Sequence, residues 1–95
     1  MTHNTLTIRR ASAADSAALA RLAALDSAPS LTGDVLLAEI GGEPWAALAV
    51  DTGRTIADPF RPSADLVELL RLQAKRMSRE LARPTRRLRV LARAA

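Results

Sequence analysis

Ninety-five residues with a net charge of +4 fit one small domain with a single modest core. Apolar residues are 48% of the chain and charged residues 25%, a balance that excludes a disordered tail. With no cysteine, disulfides and thiolate-held metals are excluded. No apolar run reaches the length of a membrane span and no signal-peptide pattern opens the chain, so a cytoplasmic protein with no membrane partner is expected. Aromatic residues are limited to Trp45 and Phe60. A core of Ala, Leu and Val buries less area per residue than an aromatic one, which predicts marginal stability without a partner.

In chain order, the alternation of Thr5-Leu-Thr-Ile-Arg-Arg predicts a strand at 5–10. Ser12 and Asp15 have capping-box spacing and open a helix over 13–26, with Leu19, Leu22 and Ala23 on one side. Pro29 cannot continue that helix, and a further short helical turn is expected around 30–32. Strands at 35–40 and 45–50 flank Gly41-Gly42-Glu43-Pro44, whose paired glycines suit a tight hairpin. Both strands are almost continuously apolar, so helices or a partner should cover both faces of the sheet. A short antiparallel strand follows at 55–57. A long helix is then expected over 63–82, capped by Ser63, with Asp65 in its first turn. Leu66, Leu70, Ala74, Met77 and Leu81 form its apolar stripe, and Pro84 is expected to end it. Leu88 and Val90 alternate with arginines, predicting a last strand at 87–91.

Charge divides the chain. Residues 1–70 hold five basic and nine acidic groups, a net of −4, whereas residues 71–95 hold nine basic and one acidic, a net of +8. Arg71, Lys75 and Arg79 recur at every fourth residue away from the apolar stripe, and Arg83, Arg86, Arg87, Arg89 and Arg93 follow. Such a basic end makes these residues candidates for an anionic partner, nucleic acid included. No aromatic residue interleaves with them, which weighs against single-strand recognition by base stacking.

The whole order is β-α-β-β-β-α-β, an α/β (α+β) arrangement within a single domain. Three passages, Thr7-Ile-Arg-Arg-Ala-Ser-Ala-Ala-Asp-Ser-Ala-Ala-Leu-Ala-Arg-Leu, Leu37-Ala-Glu-Ile-Gly-Gly-Glu-Pro-Trp-Ala-Ala-Leu and Arg87-Leu-Arg-Val-Leu-Ala, give it a resemblance to the GNAT superfamily of acyl-CoA-dependent N-acyltransferases. The resemblance implies a small mixed, mainly antiparallel sheet that lacks the family's last helix and strands. It also implies that the acyl-CoA pyrophosphate would sit on the long helix's N-terminus, at a Gln/Arg-x-x-Gly-x-Gly/Ala motif. Arg61 matches the first position of that motif, and Ser63 and Ala64 would lie against the phosphates. Ala64 and Leu66 stand where the motif has glycines, and Asp65 adds a carboxylate beside the phosphates. The Tyr that often serves the family in catalysis has no counterpart, since the chain has no Tyr.

Other residues have plainer readings. Glu39 and Glu43 are a solvent-facing strand residue and a turn residue instead of a proton-transfer pair. Asp51, Asp58 and Asp65 do turn and cap duty instead of binding a metal. His3 is a surface residue, and Trp45 belongs to the core or a sheet face. The sequence therefore predicts a non-catalytic interaction module with no cofactor, acting as a homodimer or bound to another protein. The alternatives are a weak acyltransferase using acetyl-CoA, completed across a dimer, and a nucleic-acid-binding accessory protein.

Overall fold

The computed structural model describes residues 5–94, with side chains through Arg79. His3 lies outside the described residues. Four strands, β1 (Leu6–Arg10), β2 (Val35–Ile40), β3 (Glu43–Ala49) and β4 (Thr55–Ala57), form one antiparallel sheet in chain order. Helix α1 (Ser16–Leu25) is entered through a 3-10 turn at Ala13–Asp15, and α2 (Ala64–Ala94) follows β4. The domain is a small α+β structure in which a helix lies on each face of the sheet.

Side-chain alternation explains the near-continuous apolar runs of β2 and β3. Val35, Leu37, Ala47, Ala49 and Ile56 point to one face and pack on Leu19, Leu22 and Ala23 of α1. Leu36, Ala38, Ala46 and Leu48 point to the other and pack on Leu66, Leu70, Ala74 and Met77 of α2. Ala38, Ala46 and Ala47 are fully buried at the centre of the sheet. Having only a methyl group there lets both helices approach the backbone closely, which substitutes for the bulk that aromatics would provide.

Ile40 pairs with Glu43 across Gly41 and Gly42, whose φ values of 58° and 85° are those of a two-residue type I′ turn. The register shifts between Ala38 and Glu39, so Trp45 is the extra residue of a bulge. That shift places Trp45 and Ala46 consecutively on the α2 side of the sheet. Helix α1 ends in a Schellman motif: Ser27 N–H donates to Ala24 O (3.2 Å) and Ala28 N–H to Ala23 O (2.9 Å). Ser27 holds the left-handed position of the motif with φ 49°. The turn expected around 30–32 is irregular, and Leu31 plugs the α1-side core from it.

Two expectations are corrected. The long helix does not end near residue 82, and no strand forms at 87–91: α2 runs 31 residues, through Pro84, to Ala94. Arg, Leu and Ala, which dominate that segment, are strong helix formers. A fifth strand beside β4 would also meet an occupied edge, because Ala57 N–H donates outward to Asp26 Oδ2 at 3.2 Å. The sheet is accordingly antiparallel throughout the described residues instead of mixed. At about 1.5 Å per residue α2 is roughly 46 Å long, about twice the ~23 Å of seven-residue β3, so its end reaches past the sheet.

Candidate functional site

The turn into α2 is built from Asp58. Its buried carboxylate accepts the Phe60 N–H at 2.9 Å, and its carbonyl accepts the Arg61 N–H at 3.2 Å and the Ser63 hydroxyl at 3.5 Å. Ser63 C=O accepts the Val67 N–H at 3.0 Å, which makes Ser63 the N-cap by position. Its side chain, however, is buried and turned back into the turn. Ala64 opens the helix on the exposed side, and Leu66 turns into the core instead of blocking the turn.

An open cleft of about 590 Å³ lies beside this N-terminus, lined by Pro59, Arg61, Ser63, Ala64, Asp65 and Glu68. Arg61, the one cation in the lining, is already engaged. Its Nη2 lies 3.3 Å from Glu43 Oε2, its Nε 3.8 Å from Asp58 Oδ2, and its guanidinium 5.1 Å over the Trp45 ring. Asp65 and Glu68 place two carboxylates on the first turns of α2, answering the helix dipole from within the chain. The structure thus places Arg61, Ser63 and Ala64 in one cleft, whose charge opposes a pyrophosphate. Trp45 Nε1 is buried with no partner among the described residues, a desolvation cost of about 1–3 kcal/mol.

Arg71, Lys75 and Arg79 sit elsewhere, on the flank of α2 above the β3–β4 turn. They are exposed and border a second open groove of about 590 Å³. Leu48, Val50 and Gly53 from the sheet and its turn, and Glu68, Leu72 and Ala74 from α2, complete its lining. The sequence showed the cations but not the groove. Leu72, 58% exposed, was its one legible trace, an apolar residue off the buried stripe. Side chains of Arg83, Arg86, Arg87, Arg89 and Arg93 lie outside the described ones.

The remaining acidic groups are separated. Glu39 is on the α1 side of the sheet, bound to Arg9 (Nε–Oε1 3.1 Å), and Glu43 is on the α2 side with Arg61. Arg9 also grips Asp15 with two hydrogen bonds of 2.8 and 2.9 Å. Asp15 in turn accepts the Ser12 N–H at 2.7 Å, the reciprocal half of the capping box. Among the described residues no three His, Asp or Glu side chains converge as a metal site, and no helix is long and apolar enough to cross a membrane. No family model matches the chain, and comparison with curated proteins and with solved structures gives no match.

Proposed function

We propose that the protein is a non-catalytic interaction module, a dimer built on a sheet-and-helix frame like the N-terminal part of a GNAT domain. The observation that carries this reading is Arg61. The only cation beside the α2 N-terminus among the described residues is spent on Glu43, Asp58 and Trp45, while Asp65 and Glu68 face the same cleft. An acyl-CoA pyrophosphate would have to break those pairings and then sit beside two like charges.

The dimer is supported by the free edge of β1. Gly41 N–H donates to Thr5 O and Ala11 N–H to Val35 O, so by antiparallel alternation the backbone groups of Leu6, Ile8 and Arg10 face outward. Such an edge is a template for a second strand. Titration calorimetry with acetyl-CoA tests the non-catalytic reading, with no heat expected at millimolar ligand. Saturable binding, together with acyl transfer to an amine, would establish the acyltransferase alternative instead.

A further inference from the structure

We propose that the groove between α2 and the β3–β4 turn docks an acidic amphipathic helix of a partner protein. This rests on the interaction-module reading but not on the dimer. Arg71, Lys75 and Arg79 stand one above the next at four-residue spacing, about 6 Å apart along the axis. None of the three forms an ion pair among the described residues, although Glu68 lies within the same groove. Carboxylates at every fourth position of a second helix repeat with the same rise and would face all three cations.

The apolar lining decides which anion fits. Val50 and Ala74 line the groove with aliphatic surface over the buried Leu48, exposed Leu72 adds more beside the cations, and no aromatic ring is among the lining residues. A nucleic-acid strand would leave that surface covered by sugar and phosphate and would find nothing to stack on. A small carboxylate-bearing ligand would need enclosure, whereas this groove is an open trough. A helix with leucines beside its glutamates matches both parts: apolar residues to the floor, carboxylates to the rim. Helix-in-groove recognition of this kind reads anchors at three- and four-residue spacing.

The test uses a fluorescein-labelled synthetic 18-residue helix with leucines on one face and glutamates every fourth residue beside them. Its glutamine counterpart and a 20-nucleotide oligodeoxythymidine are the comparison probes. Anisotropy titrations should show the glutamate helix binding at least about tenfold tighter than the other two, with affinity falling as salt rises. Arg71→Glu combined with Lys75→Glu should weaken it about tenfold or more, and Leu72→Ser by about fivefold. All three positions are solvent-exposed, and far-UV circular dichroism checks that the variants stay folded. Binding that is absent, that ignores Leu72→Ser, or that is tighter for the oligonucleotide overturns the proposal, the last in favour of nucleic acid. Sedimentation velocity on the same samples reports the dimer separately, so either reading can fail without the other.

Discussion

At the residue scale, Arg9 ties three elements together. It joins β1 to Glu39 of β2 and to Asp15 at the entry of α1. Its two hydrogen bonds, then that of Ser12 N–H, hold the Asp15 carboxyl well below the usual carboxylate range, and the hydrogen bonds to Asp15 and then Glu39 raise the Arg9 guanidinium. A carboxyl with a lowered native pKa binds fewer protons folded than unfolded. Its stabilisation is therefore complete above the unfolded value of about 3.9 and is lost as pH falls below it. The urea midpoint should drop between pH 5 and pH 2, and Asp15→Asn should flatten that drop; equal slopes would remove Asp15 as its source. Ser27 is the other residue with a local cost. An L-residue in the left-handed region gives up about 1–2 kcal/mol, part of which glycine returns as unfolded-state entropy. Ser27→Gly should thus stabilise by somewhat under ~1 kcal/mol, read as a higher urea midpoint at constant slope. The Ser12–Asp15 box was legible because its partners lie three residues apart. Glu39 as Arg9's second partner was not, because thirty residues separate them and only the β1–β2 register brings them together.

At the scale of elements, the strands and the start of each helix follow from local chemistry, and the end of α2 does not. Gly41-Gly42 announced the hairpin, and Leu66, Leu70, Ala74 and Met77 announced the face of α2 that packs on the sheet. The bulge at Trp45 left no local signal, since it depends on how Glu39 and Pro44 come into register. Pro84 reads as a helix stop, and the arginine-alternating segment after it reads as a strand. A strand, however, needs an edge to join, and Asp26 occupies the outer Ala57 N–H of β4. Helix closes its own hydrogen bonds and needs no such neighbour, so helix wins despite a proline penalty of about 3 kcal/mol. Pro84→Ala removes that penalty. Far-UV ellipticity at 222 nm should stay close to that of the wild type while the helix withstands more urea. A clear deepening of the signal would mean that α2 does not pass through Pro84 as a continuous helix.

The whole molecule is a three-layer domain with two unequal sheet edges, and that inequality decides how it could assemble. At one edge β4 is three residues long, and its Ala57 N–H is taken by Asp26. At the other, β1 runs five residues with no proline, and Leu6 is exposed. Only β1 therefore offers a length of strand worth extending. An antiparallel pair of β1 strands about a twofold axis at Ile8 sets Ile8 against its own copy and Leu6 against Arg10, so no arginine lies opposite another arginine. It would join two four-stranded sheets into one of eight strands. Ile8→Pro tests this arrangement directly, because the Ile8 N–H faces outward and its loss leaves the β1–β2 ladder intact. Ile8 also packs on the α2-side core, so Leu6→Lys, on an exposed side chain, is the companion variant. Wild-type protein at micromolar concentration should sediment as a dimer, and both variants as folded monomers. A wild-type monomer would remove the dimer. A dimer that survives both substitutions would move it to another surface, of which the far end of α2, beyond the reach of the sheet, is the first to examine.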